Sequence, residues 1–209
     1  MDVIEVFPTA VSISQIKIDI CDYNKLISLS TEKDNLVMNH NGNFFHKETY
    51  LLDTFFHNSE LAKEISRQID KYVINILGEN PCLSYTQSWL NVNPPGTSHH
   101  KHTHSNSILS GVLYLQTNED SGKFRVHRKD DRNICNEIKQ YNKYNFSYVY
   151  FEPKIFDLFI FPSSLEHSVE ENKSNETRIS LSFNTFYSRD IKMSYNNLSD
   201  LSFARLAQR

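Results

Sequence analysis

The sequence predicts a mainly β fold with flanking helices, arranged as a barrel or a two-sheet jelly roll. Short strand-like segments bounded by turn residues follow one another from residue 83 onward, after a single clear helical pattern. Aromatic residues make up 12% of the chain and are mostly Phe and Tyr, which favours strands over a helical bundle. The 209 residues are enough for one domain with a substantial core.

The first eighty residues are expected to support this core. Residues 3–7 and the alternating isoleucines of residues 16–20 are predicted to be strands, and residues 22–29 a short helix. The Asn-Gly-Asn sequence of residues 41–43 indicates a turn.

The clearest helix is predicted over residues 59–77. Ser59 is a suitable N-cap, and Gly78 can adopt the left-handed conformation that ends a helix. Apolar residues at spacings of three and four form one stripe: Leu61, Ile65, Ile69, Tyr72 or Val73, and Ile76. We expect this stripe to pack on a sheet, with binding of a partner as the less favoured alternative.

The second half of the chain is predicted to form the core strands. They lie within residues 83–93, 107–116, 123–127, 146–151, 156–161 and 177–186. The charged residues 128–145 are predicted to be an inserted loop. The domain is expected to span residues 1–186, with its core in 83–186 and a polar tail in 187–209 that includes a short helix near 201–206.

Composition excludes several classes of function. The net charge of −3 without a basic stripe argues against a nucleic-acid partner. No apolar run is long enough for a membrane span and no signal peptide is recognisable, so we expect no membrane partner and a location in the cytoplasm of a bacterium or of a phage-infected host. The three distant cysteines are expected to be reduced and mostly buried. A homodimer is left open.

Four of the nine histidines lie within residues 98–104, where they indicate either a metal site or a solvated loop that binds metal adventitiously. Because residues two apart share a face of a strand, His100, His102 and His104 could point together. A third ligand is expected from His167, 63 residues beyond His104, with His127 as a competitor.

The last predicted strand has one polar and one apolar face. Its polar face carries Arg178, Ser180, Ser182 and Asn184. This face could be exposed to water on an edge strand, or it could lie inside the barrel, where a guanidinium can bind a carboxylate through two hydrogen bonds.

The order His-x-His, then His, then Arg-x-Ser resembles that of Fe(II)- and 2-oxoglutarate-dependent dioxygenases. The chain is most similar to a bacterial and phage subfamily related to prolyl hydroxylases. The residues that carry the resemblance are 6–9, 88–93, 95–96, 99, 102–107, 109–115, 121–122, 161–163, 165–169 and 178–184.

The resemblance implies a double-stranded β-helix (jelly-roll) core, Fe(II) as the metal, 2-oxoglutarate as co-substrate and O2 as oxidant. The implied iron ligands are His102, His104 and His167. The residues implied to bind 2-oxoglutarate are Arg178, at its distal carboxylate, with Ser180, Tyr114 and Asn91. No catalytic residue is expected beyond the metal ligands.

The chain departs from the superfamily at His104 and from the subfamily at Phe156, and the subfamily's Trp-Gln-Ser pattern is not recognisable in residues 44–50. His104 stands where an Asp or Glu usually binds iron, and His99 or His100 could replace one of the ligands. Phe156 stands where the subfamily often has Gly, so we expect the turn there to differ.

Three functions are consistent with these patterns. The leading hypothesis is hydroxylation of a substrate C–H bond with release of succinate and CO2; a prolyl or peptidyl substrate is implied by the resemblance alone. The second is a three-histidine dioxygenase of the cupin kind, which binds its substrate directly on iron. The third is a non-catalytic metal-binding jelly-roll module.

Overall fold

The computed structural model describes residues 8–39, 41–129 and 137–188. The strand predicted over residues 3–7, part of the charged loop and nearly all of the tail, including the helix predicted near residues 201–206, lie outside the described residues. Among the residues described, no helix is long and apolar enough to span a membrane.

The described residues form eleven strands and three α-helices. The strands are β1 Ser12–Gln15, β2 Leu36–Met38, β3 Phe44–His46, β4 Leu83–Asn93, β5 His99–His102, β6 Leu109–Gln116, β7 Phe124–His127, β8 Tyr148–Phe151, β9 Asp157–Pro162, β10 His167–Val169 and β11 Arg178–Tyr187. The helices are α1 Ile20–Thr31, α2 Leu51–Thr54 and α3 Glu60–Tyr72, with a 3-10 turn at Lys33–Asn35 and a π-helical turn at Val73–Leu77.

The strands build two antiparallel sheets. The larger has the order β1-β9-β6-β11-β4-β3-β2, and the smaller has the order β5-β10-β7-β8. The prediction of a mainly β jelly roll with flanking helices is confirmed.

Strand β11 lies in the middle of the larger sheet, between β6 and β4. Ile179, Leu181 and Phe183 belong to the main core, together with the buried residues of α1 and α3. The opposite face carries Arg178 and Ser180, both buried, and lies on the inner side of the jelly roll. The alternative of an edge strand with its polar face in water is therefore wrong.

The predicted helix over residues 59–77 is confirmed, with one difference near its end. The Ser59 hydroxyl accepts a hydrogen bond from the Ala62 N–H at 3.1 Å, and Gly78 is left-handed with φ 70°. The apolar stripe is buried as far as Val73, but Ile76 is 52% exposed. The last turn is π-helical, and its wider turn rotates Ile76 away from the face that packs on the sheet.

The strand predicted over residues 16–20 is wrong. Strand β1 ends at Gln15, and α1 begins at Ile20 because the Asp19 carboxylate caps it, accepting a hydrogen bond from the Cys21 N–H at 2.8 Å. Cys21 is exposed in the first turn of this helix, which contradicts its predicted burial, whereas Cys82 is half-buried.

The turn before β9 has the left-handed backbone conformation that favours glycine, although a phenylalanine occupies the position. Phe156 has φ 69°, so the expectation of a different turn is wrong. Its N–H donates to the Tyr114 carbonyl at 2.7 Å, its carbonyl accepts from the Ile16 N–H at 3.0 Å, and its ring packs edge-on against Tyr23. These contacts hold a conformation that is strained for any residue with a Cβ.

We expect Phe156→Gly to have a higher free energy of unfolding than Phe156→Ala, by about 1 kcal/mol. Both variants lose the ring contact, and only glycine relieves the left-handed strain. Denaturant unfolding of both measures the difference. The neighbouring Ile155, which is not left-handed, is the control, because there alanine should be the more stable replacement. An alanine variant at 156 as stable as the glycine variant would contradict the strain.

Candidate active site

Three histidines meet in a cavity between the two sheets. His102 ends β5, His104 follows it, and His167 begins β10 directly opposite His102. Each offers one ring nitrogen, and these nitrogens all lie within 4.8 Å of one another. The ring centroids are 4.3 Å apart for His102 and His167, and 5.1 Å apart for His104 and His167. A set of three close imidazoles can bind one transition-metal ion.

A bulge in β5 decides which histidines face this cavity. His167 pairs with His102, but Val169 pairs with His99 instead of His100, so β5 contains one extra residue. His99 therefore lines the cavity and His100 is exposed. The expectation that His100 could point together with His102 and His104 is wrong, because it assumed an unbroken strand.

His104 lies beyond the end of β5, so strand alternation does not place it in the cavity. The backbone N–H of His104 donates to the Ser163 carbonyl at 2.9 Å. The Ser163 hydroxyl is itself buried and hydrogen-bonded to Ser107 and Ser110. This serine network fixes the segment that carries His104.

The remaining ring nitrogens of two of these histidines are oriented by the backbone. Nδ1 of His102 donates to the His100 carbonyl at 2.8 Å, and Nδ1 of His167 donates to the Leu165 carbonyl at 2.8 Å. Because a carbonyl can only accept, each Nδ1 carries the proton and each Nε2 keeps its lone pair for a metal.

Burial keeps these imidazoles neutral. It lowers the pKa of His167 to about 3 and that of His104 to about 4, and it also lowers the pKa of His102. Neutral imidazole is the form that binds metal, so at neutral pH protons do not compete for the site.

Arg178 lies in the same cavity and is 1% exposed. Its Nη1 donates to the Ser121 carbonyl and, at 3.4 Å, to the Glu170 carbonyl. Its Nη2 is buried without any hydrogen-bond partner, and no carboxylate of a described residue forms an ion pair with it. A buried, unbalanced guanidinium with a free donor is suited to an anionic ligand.

The other predicted 2-oxoglutarate residues surround Arg178 on three neighbouring strands. Ser180 faces Tyr114 of β6 on one side and Asn91 of β4 on the other. Burial raises the pKa of Tyr114 to about 12, so its hydroxyl stays protonated and can donate. The Asn91 amide already accepts from Trp89 Nε1 at 3.1 Å and donates to the Ser182 hydroxyl at 2.9 Å.

The cavity encloses about 70 Å3. Residues that the sequence analysis does not predict as site residues complete it: Trp89, Asn93, Gly111, Val112, Phe124, Phe161 and Val169. Trp89 and Asn93 flank Asn91 at a spacing of two, so strand alternation could have identified them, whereas Phe124 shows no distinguishing pattern. His127, the predicted competitor, hydrogen-bonds instead to the Ser168 hydroxyl at 2.8 Å and lies outside the three-histidine group.

Residues 87–184 match the model of the family described as "Putative 2OG-Fe(II) oxygenase". This segment contains every predicted site residue, from Asn91 to Ser180. Over this segment, which is slightly less than half of the chain, the sequence matches the 2OG-Fe(II) oxygenases. This family uses Fe(II), 2-oxoglutarate and O2, so the cofactors predicted for the oxygenase are confirmed. No curated protein matches its sequence significantly.

Solved structures share the fold at low sequence identity. A 2OG-Fe(II) oxygenase family oxidoreductase from Burkholderia pseudomallei is 14% identical, with a TM-score of 0.57 and coverage of 84% of this chain and 83% of that one. A Pseudomonas putida prolyl-4-hydroxylase is 17% identical, with a TM-score of 0.53 and coverage of 84% and 92%. HygX from Streptomyces hygroscopicus, solved with nickel and 2-oxoglutarate, is 10% identical, with a TM-score of 0.54 and coverage of 85% and 82%.

Proposed function

We propose that the oxygenase hydroxylates a C–H bond of a neutral, peptide-like substrate. The balanced reaction consumes 2-oxoglutarate, O2 and the substrate C–H, and it gives succinate, CO2 and the alcohol. The observation that carries the proposal is the free, buried Nη2 of Arg178 in the cavity that also holds the three histidines. The distal carboxylate of 2-oxoglutarate needs a cationic hydrogen-bond donor and its 2-oxo acid end can chelate a metal, and this cavity offers both kinds of group.

In this proposal His102, His104 and His167 hold the iron, which supplies oxidation of the 2-oxo acid and of the substrate when it is bound. Arg178 binds the distal carboxylate, and the protonated Tyr114 hydroxyl and Ser180 donate beside it. Phe124, Phe161 and Val169 exclude water, which strengthens these polar contacts.

The substrate is proposed to enter through an outer groove of about 300 Å3 that shares Trp89, Asn91, His99 and His104 with the cavity. The described residues that complete its lining are Asn39, Phe45, Thr49, Gln87 and Asn184. They include amides, a hydroxyl and an aromatic ring, with no Asp, Glu, Lys or Arg. Such a lining suits an uncharged group that can hydrogen-bond, as a peptide backbone does, and the prolyl-4-hydroxylase of similar fold makes a prolyl peptide the first candidate.

The test is succinate formation from 2-oxoglutarate with Fe(II), ascorbate and O2. Neutral proline-containing peptides should raise the rate above that without substrate, whereas the same peptides flanked by Glu or Lys should raise it less. Manganese-dependent binding of 2-oxoglutarate, measured by calorimetry without O2, separates this function from a three-histidine dioxygenase that needs no co-substrate. Failure of 2-oxoglutarate to bind the metal-loaded protein would contradict the proposal.

A further inference from the structure

His99 lines the cavity but is not part of the three-histidine group. Its ring centroid lies 5.8 Å from that of His102, and both residues line the cavity. The bulge that pairs His99 with Val169 gives it this position, which an unbroken strand would have given to His100. Bulges near active sites commonly redirect a side chain in this way.

The His99 imidazole has no protein partner to satisfy it. Neither ring nitrogen hydrogen-bonds to a described residue, and Nδ1 is buried. A buried polar group without a partner is costly, and buried polar groups in folded proteins are nearly always hydrogen-bonded. Arg178 Nη2 is the other cavity-lining side-chain atom in the same condition, so two free polar groups line one cavity.

We propose that His99 is a further co-substrate-binding residue, whose imidazole N–H donates to the 1-carboxylate of 2-oxoglutarate. This inference rests on the proposed function. Its basis is position: Arg178 takes the distal carboxylate, the three histidines take the metal, and His99 lines the same cavity with its ring 5.8 Å from that of His102. An imidazole N–H bonded to a carboxylate is a charge-assisted hydrogen bond, which is stronger than a neutral one.

This role of His99 also gives the β5 bulge a function. The bulge brings a fourth imidazole, that of His99, to the cavity, but His99 is not one of the three histidines whose nitrogens lie close enough to share a metal ion. His99 also lines the outer groove, so it lies where the groove and the inner cavity meet.

The experiment measures binding of 2-oxo acids to Mn(II)-loaded protein by calorimetry in the absence of O2. It uses 2-oxoglutarate and 2-oxovalerate, which keeps the 2-oxo acid end but lacks the distal carboxylate. His99→Phe should weaken both ligands by a similar factor, roughly 10- to 100-fold. His99→Asn, which keeps an N–H donor, should recover part of the loss, and His100→Phe should bind both ligands as the wild type does.

Several outcomes would overturn the inference. One is unchanged 2-oxoglutarate binding by His99→Phe, which would assign His99 to the outer groove. Another is weakening of 2-oxoglutarate alone, which would place His99 at the Arg178 end. Mn(II) affinity measured without any 2-oxo acid should be equal in all variants, and its loss in His99→Phe would make His99 a metal ligand instead. If the wild type binds no 2-oxoglutarate, the proposed function itself fails, whereas the other outcomes leave it standing.

Discussion

Arg178→Met is expected to bind 2-oxoglutarate at least about 30-fold more weakly than the wild type, with Mn(II) binding unchanged. Removing one partner of a buried, hydrogen-bonded charge pair costs about 2–5 kcal/mol, and each 1.4 kcal/mol is tenfold in affinity. Methionine fills similar space and carries no donor. Calorimetry of the manganese-loaded protein measures the dissociation constant, and succinate formation should fall in parallel.

Two comparisons make this result specific. Arg178→Lys keeps the charge but loses the planar fork, so its affinity should lie between those of the wild type and Arg178→Met. Arg67→Met removes an arginine whose ion pair with Glu64 lies on the surface of α3, and it should bind 2-oxoglutarate normally. The loss should also vanish with 2-oxovalerate, which has no distal carboxylate.

The fold of the Arg178 variant must be checked, because the guanidinium also donates to two backbone carbonyls. Leaving the Ser121 and Glu170 carbonyls without this donor costs about 1–3 kcal/mol, which a thermal midpoint will reveal. A folded Arg178→Met protein with wild-type affinity for 2-oxoglutarate would contradict the assigned role.

The strands of the core could be predicted because a long alternation of polar and apolar residues is a strong signal for a strand. Strand β4 was predicted with both ends correct, and β11 with its two faces correctly separated. The three alternating isoleucines of residues 16–20 form a pattern too short to outweigh the cap at Asp19, which starts a helix at Ile20. Similarly, apolar spacing alone does not reveal the π-helical turn that exposes Ile76.

The grouping of the site residues could be predicted in part. The order of His102, His104, His167 and Arg178 indicated a shared cavity, and the structure brings all four into one. Their roles as ligands stay predictions. The choice between His99 and His100 could not be made from the sequence. A bulge shifts the register by one residue and so decides which of the two adjacent histidines faces the cavity.

Removing a metal ligand is the second change with a large expected effect. His167→Ala should lose at least about 100-fold in affinity for Ni(II), because even residues that only orient a ligand typically contribute 10- to 100-fold. Trp89, the chain's only tryptophan, lies with its ring 6.1 Å from that of His104, so quenching of its fluorescence by Ni(II) reports binding. His127→Ala and His100→Ala, which remove histidines outside the three-histidine group, should bind Ni(II) as the wild type does. Equal Ni(II) affinity in His167→Ala would rule this residue out as a ligand.

His104→Asp tests the unusual third imidazole. Three neutral ligands suit Ni(II), Cu(II) and Zn(II), whereas a carboxylate favours Fe(II) and Mn(II) and offsets one unit of their charge. The preference for Ni(II) over Mn(II), measured by competition, should therefore fall by about tenfold or more in His104→Asp. His104→Glu covers the case in which the shorter side chain does not reach the metal. If His104→Ala keeps both the affinity and the preference of the wild type, His104 is not a ligand.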